Sequence, residues 1–224
     1  MNSKSRSLIA VALVAATGCA ALLYFQQRTL AQSTGYGGRA AGAIAAQLAG
    51  RALVSHDQSV QMVGYFTTVP GLPELFHSGG PGEGNACLTF RSSRFRVDPV
   101  GNGNLVHLFS SPVEGNSVLL DVYYDPSPDQ DFARPETFSD GTKVAVFRVH
   151  SGMTTAIPPA YGVCYTSLEL VSAVDFEAGN VRVNIGGLGR GGTLNFLSSP
   201  PELSGNAVQF PFAIPFGGSV SSVQ

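Results

Sequence analysis

One residue pattern occurs twice in this chain, and an internal repeat constrains the fold more than any other feature. The first copy reads Cys87, Thr89, Val97-Asp98, Gly101-Asn102, Phe109-Ser110-Ser111-Pro112, Glu114, Gly115-Asn116 and Val118. The second reads Cys164, Thr166, Val174-Asp175, Gly179-Asn180, Leu197-Ser198-Ser199-Pro200, Glu202, Gly205-Asn206 and Val208. The copies are 77 residues apart at the cysteines and at Val-Asp, 88 at Ser-Ser-Pro and 90 at the last Gly-Asn. Spacing holds along strand-like stretches and drifts in turns, as in a duplicated β unit whose loops tolerate insertion.

Each unit reads as four strands: 59–68, 86–97, 105–109 and 117–124 in the first (57–126), and 143–151, 163–174, 193–197 and 207–214 in the second (136–216). In the second unit Cys164, Thr166, Leu168, Leu170 and Val174 share a face opposite Tyr165, Ser167, Glu169 and Asp175, the alternation of a half-buried strand. Val118, Leu120, Val122 and Tyr124 match Val208, Phe210, Phe212 and Ile214, and Pro211 marks an edge. With 27 Gly, 14 Pro and no Trp, composition favours short strands and turns. The expected fold is all-β: duplicated four-stranded units in a sandwich or squat barrel, preceded by an N-terminal apolar helix. A chain of 224 residues suffices for a substantial core.

Ahead of the β body the chain has its own organisation. Lys4 and Arg6 precede an apolar run, residues 8–25, which ends in Gln26-Gln27-Arg28 and Thr29-Leu30-Ala31. That order is expected of a secretory signal cut after Ala31, or of an uncleaved anchor, since the run of 18 residues is long for a signal core. Either way residues 1–31 direct export, to the periplasm, the cell surface or the medium. Ala16-Thr17-Gly18-Cys19 is similar to a lipoprotein box, but apolar residues continue past the cysteine. Residues 32–38 read as a linker, and Ala41, Ile44, Ala45, Leu48 and Ala52 fall at helical spacing, so 32–56 is expected to be linker and short helix.

Export leaves Cys87 and Cys164 in an oxidising compartment, where an even count reads as one disulfide. Equivalent positions approach one another near a twofold axis, so these two are expected to form a bridge between units.

Candidate sites are weaker. Asp125, Asp129, Asp131 and Glu136 lie in a proline-rich loop and supply the hard oxygens that Ca²⁺ takes. Arg91, Arg94 and Arg96 share one strand, and Arg91 aligns with inward-facing Leu168; a guanidinium there needs a carboxylate, an anionic ligand or a bulge that turns it out. His56, His77, His107 and His150 lack metal-site spacing. His77-Ser78 has no nucleophile elbow around it. The glycine-rich segment 186–192 reads as a flexible hairpin tip after an added strand, 181–185.

Charged residues are only 12% and the formal net charge is −2, which gives no electrostatic footprint for nucleic acid. The membrane enters only through the N-terminal segment. No motif calls for a cofactor and no catalytic constellation stands out. The expectation is an exported module, cleaved or anchored, that binds a protein, glycan or small ligand or serves an envelope assembly. The alternative is an enzyme with its pocket inside a barrel, built on Arg91 and a carboxylate.

Overall fold

The structure, a computed structural model, describes residues 44–72, 74–77, 79–99, 106–110, 117–157, 161–188 and 190–223. The signal or anchor, the linker and Cys19 lie outside these residues. The described residues are all-β: β1 (Ile44–Val54), β2 (Val60–Thr68), β3 (Leu88–Ser92), β4 (Arg96–Pro99), β5 (Val106–Ser110), β6 (Val118–Tyr124), β7 (Thr142–Ile157), β8 (Tyr161–Ala173), β9 (Asp175–Ala178), β10 (Val181–Asn184), β11 (Gly191–Ser198), β12 (Glu202–Leu203) and β13 (Phe212–Val223). Three single 3₁₀ turns, Glu83–Asn85, Pro135–Phe138 and Ile185–Leu188, interrupt the connections.

Eight strands close into a barrel. The ring runs β1, β2, β3, β6, β7, β8, β11, β13 and back to β1, every pair antiparallel. Ring order is chain order, so each strand pairs with the next ring strand and only β1 with β13 is a distant pairing. Closure removes the exposed edges that an open sheet of this length would present. Outside the ring, β4 pairs β5, β5 pairs β7, β12 pairs β13, and β9 with β10 makes a separate hairpin.

Alternation within strands fills the inside. Ala46, Leu48, Met62, Phe66, Leu88, Phe90, Leu120, Val122, Leu168, Leu194, Phe196 and Phe216 form one buried cluster. Four rings run through it in sequence: Phe66 to Phe90 at 5.7 Å between centroids, Phe90 to Phe216 at 6.3 Å and Phe216 to Phe196 at 4.6 Å. Fully burying such a side chain contributes roughly 1.5–3 kcal/mol. The rings fit because the wall beside them carries no side chain: a Cβ on Gly50 would stand 2.9 Å from Phe216 Cζ.

One flank of the barrel has a second layer. The β6–β7 loop and the turn before β13 fold onto the outer faces of β13, β1 and β2, burying Leu53, Val63, Phe138, Phe210 and Ala213 with Tyr65 and Phe132 against them. Thr89 Oγ1 donates to the Phe138 carbonyl at 2.9 Å, and the Arg51 guanidinium lies 4.6 Å above the Phe132 ring. On β6, β7 and β8, exposed or half-exposed Asp121, Lys143, Arg148, His150 and Glu169 form ion pairs. An apolar inside with such charge outside is the inverse of a bilayer-spanning barrel.

Three expectations are corrected. The described part of the expected helix, Ile44–Val54, is β1: Ala46, Leu48, Ala52 and Val54 join the inner core while Leu53 joins the outer cluster, which is strand alternation. The barrel therefore begins before residue 57. The expected last strand, 207–214, is largely a turn; Gln209 N–H and Phe210 N–H donate to the Asn206 carbonyl, and the strand starts at Phe212.

The Cys87–Cys164 bridge does not form, and both cysteines are free and buried. β3 and β8 are three strand steps apart around the ring, through β6 and β7, roughly 14 Å along the wall at ~4.8 Å per step, against the ~7 Å Cα limit for a bridge.

Candidate functional site

The ring has two ends. At one, here the mouth, lie the start of β1, the end of β13 and the β2–β3, β6–β7 and β8–β11 connections. The Phe66–Phe90–Phe216–Phe196 series fills the middle of the barrel, and an internal space of about 50 Å³ remains on the mouth side. Strand alternation delivers its walls: Leu48, Leu88, Val122, Phe147, Leu168 and Val220. Ala45 and Val69 stand at the rim, and Ile185 closes over it from the turn after β10. Every residue lining this space is apolar or glycine.

Two glycines at the start of β11 shape the opening. A Cβ on Gly192 would stand 2.9 Å from Val220 Cγ1, and one on Gly191 2.7 Å from the Leu168 carbonyl oxygen. Among the described residues of 186–192, Gly186 N–H donates to Asn184 Oδ1 at 2.8 Å beside buried Ile185, and Gly191 and Gly192 belong to β11, so these residues stand at the barrel end. Sequence reasoning passed over Ala45, Val69, Ile185 and the two glycines. The signal present was the run of small residues, which was read as flexibility instead of close approach.

The predicted arginines are elsewhere. Inward residues on β3 are Leu88 and Phe90, so Arg91 faces out. Its Nη1 donates to Ser139 Oγ at 2.8 Å and its Nη2 to Gln61 Oε1 at 3.4 Å, tying the β6–β7 loop to the wall. Arg94 lies 5.8 Å above the Phe210 ring, and Arg96 is exposed on β4. None of the three lines the internal space.

The acidic loop is regrouped. Asp125 Oδ1 accepts from Ser127 N–H at 2.8 Å and its Oδ2 from Gln130 Nε2 at 3.2 Å. Asp131 turns away, accepting from Ala133 N–H at 2.8 Å and Arg134 Nε at 3.2 Å, and these bonds hold its carboxyl below the usual range. Glu136 is exposed on the Pro135–Phe138 turn. Asp140, which sequence reading missed, joins Asp125 and Asp129, with carboxylate oxygens of the three within 4.8 Å of one another. Burial, and then the Asp129 and Asp125 charges, push the Asp140 carboxyl up.

The remaining reactive groups are quiet. His56 Nε2 lies 3.2 Å from the Val208 carbonyl oxygen and His150 Nε2 2.6 Å from Glu169 Oε2, while His77 is exposed. Ser78 and the His107 side chain lie outside the described residues. Burial pushes the Cys87 thiol up, with Asp125 and Glu74 adding to it, and pushes Cys164 up to about 12. A thiol held protonated is a poor nucleophile. No known protein family, no curated protein and no solved structure matches this chain.

Proposed function

We propose that the chain is an exported β-barrel binding module whose mouth takes the narrow end of an apolar ligand. The observation that carries this reading is the space between the phenylalanine series and the barrel rim, whose described lining is apolar residues and glycine. At about 50 Å³ it exceeds several-fold the ~10–15 Å³ that one water needs. An apolar cavity gains nothing by holding water and gains contacts by holding methylene groups. Bulky ring systems do not fit; the end of an aliphatic chain does.

Export rests on residues 1–31, whose charged start and apolar run deliver the barrel to the periplasm, the cell surface or the medium, cleaved or anchored. The reading of two related units finds partial support in strand layout, although that layout does not equate the strands carrying Phe109-Ser110 (β5) and Leu197-Ser198 (β11). β2, β3 and β6 form one meander with the β4–β5 hairpin after its second strand, and β7, β8 and β11 form another with the β9–β10 hairpin at the same place. Gly101-Asn102 and Gly179-Asn180 fall between the strands of these hairpins.

A fluorescent polyene fatty acid titrated into the full chain tests the reading. Saturable one-to-one binding is expected, and Ala46→Phe, which fills the space from its β1 wall, is expected to remove it while leaving the melting temperature within a few degrees. Binding that is unsaturable, or unchanged in Ala46→Phe, would overturn it.

A further inference from the structure

A second space opens beside the first at the mouth. It lies between the end of β2 and the β2–β3 connection, an open groove of about 410 Å³ lined by Thr67, Thr68, Leu72, Leu75 and Phe76 among others. Val69 lines both this groove and the internal space, so a ligand that fills one reaches the other across its side chain. We infer that the groove holds the uncharged, hydroxyl-bearing head of a single-chain amphiphile whose tail end enters the barrel, an inference that rests on the apolar-chain reading of the mouth.

The walls of the groove are held in place. Leu72 and Leu75 are buried in the inner core cluster and pin the connection to the barrel. Leu72 N–H donates to the Val69 carbonyl at 3.0 Å, Cys87 N–H to the Leu75 carbonyl at 2.8 Å and His77 N–H to the Asn85 carbonyl at 2.8 Å. The Tyr65 ring meets the Phe76 ring edge-on, with 6.2 Å between centroids and 81° between planes. Walls fixed before a ligand arrives lower the ordering cost of binding it.

The chemistry of the groove differs from that of the internal space. Among the described residues, the Thr67 and Thr68 hydroxyls line it and have no hydrogen-bond partner. Each hydroxyl can donate once and accept twice. Leu72, Leu75 and Phe76 add apolar surface beside them. Ligand sites combine mostly apolar walls with a few polar groups that fix orientation, and a glycerol or sugar head presents the matching C–H and O–H surfaces.

Charge decides against an ionic head. From Ala52 to Phe90 the chain carries no lysine or arginine, while Glu74 and Glu83 lie in the β2–β3 connection. A carboxylate or phosphate head would lose water there and meet no cation. The Glu74 carboxylate packs against Gly179 at the tip of the β9–β10 hairpin. No carboxylate is among the described residues lining the groove, so a cationic head finds no counter-charge in it either.

Calorimetric titration of the full chain at about pH 8, where imidazoles are neutral, tests the head site with amphiphiles of one chain length below their micelle concentrations. The set is a monoacylglycerol, an alkyl glucoside, a fatty acid and an alkyltrimethylammonium. At least one of the two neutral heads is expected to bind about tenfold tighter than both ionic ones. Thr67→Val with Thr68→Val, which keeps the shape and removes both hydroxyls, is expected to erase that difference, and Thr67→Ser with Thr68→Ser to retain most of it. Neutral heads that bind no tighter than ionic ones would overturn the head site, as would a difference that persists in the valine variant. Ala46→Phe, expected to abolish binding of all members, tells the two readings apart. Heads that bind alike in the wild type and fail together in Ala46→Phe would overturn the head site and leave the chain reading standing. Binding of no member, or binding that Ala46→Phe does not alter, would overturn both.

Discussion

Gly64 on β2 stands directly across the ladder from Phe90 on β3, and a Cβ added to it would meet Phe90 Cζ at 2.6 Å. The same Cβ would collide with the Ala49 carbonyl oxygen of β1, which is backbone and cannot turn aside. Gly64→Ala therefore forces the wall outward or the ring from its rotamer. We expect a loss of about 1–3 kcal/mol or more, measured by urea denaturation, with the barrel still formed by far-ultraviolet circular dichroism. An unchanged midpoint would show that the phenylalanine series is not tightly seated.

The outer layer answers to Phe138, whose side chain is fully buried under the loop. Phe138→Ala opens a cavity and is expected to cost about 3–5 kcal/mol. Thr89→Val removes only the bond to the Phe138 carbonyl, and is expected to cost about 1–3 kcal/mol because a buried acceptor loses its partner. Denaturation midpoints of both variants check this. If Phe138→Ala were neutral, the loop would be a loose cover and Leu53 and Val63 would tolerate water.

Free thiols make a sharp chemical prediction. Cys164, pushed up to about 12 by burial, should resist alkylation at pH 8 in the folded state. Unfolding in guanidinium without reductant should then expose both Cys87 and Cys164 to modification, read by intact mass. A mass showing both unmodified after unfolding would establish a disulfide and contradict the two free thiols described above.

Acid stability has a defined sign. The carboxyls of Asp57, Asp131, Glu169 and Asp175 are held low, chiefly by the Ser59 hydroxyl, the Ala133 N–H, the His150 ring and the Asn184 amide in turn. The unfolded chain binds protons at these groups more readily, so their support is present above ordinary carboxylate values and is lost as pH falls through the lowered ones. Asp140 is raised and acts in the opposite sense: its contribution is full below the ordinary aspartate value and fades as pH rises through the raised one. Melting temperature should hold between about pH 8 and 5 and fall below about pH 4. Asp140→Asn should raise it at pH 7 and not at pH 3.

Strand alternation was legible wherever a strand was continuous, as in Leu120 and Val122 on β6 or Cys164, Thr166 and Leu168 on β8. Periodicity misled at β1, because Leu48 and Ala52, four residues apart, satisfy both a helical and an extended spacing. It misled again at β13, whose half after Phe216 is Gly217-Gly218-Ser219: glycine there admits the neighbouring strand, as a Cβ on Gly218 would stand 2.5 Å from Phe196 Cβ. The acidic cluster was half legible. Asp125 and Asp129 are close in the chain, but Asp140 arrives only because the loop closes on itself.

Composition, the recurrent pattern and two-residue periodicity were enough to establish an all-β chain and most of its inward faces, since these depend on contacts between neighbours along one strand. Which strands pair, and at which end of the barrel each residue stands, depended on tertiary structure. Ring closure joins β1 to β13 across most of the chain, an encounter that no local pattern encodes. The same closure decided the fate of the repeat. β3 runs away from the mouth and β8 runs toward it, so Cys87 and Cys164, equivalent in the pattern, stand at opposite ends. Antiparallel order turned a predicted bridge into two separate buried thiols.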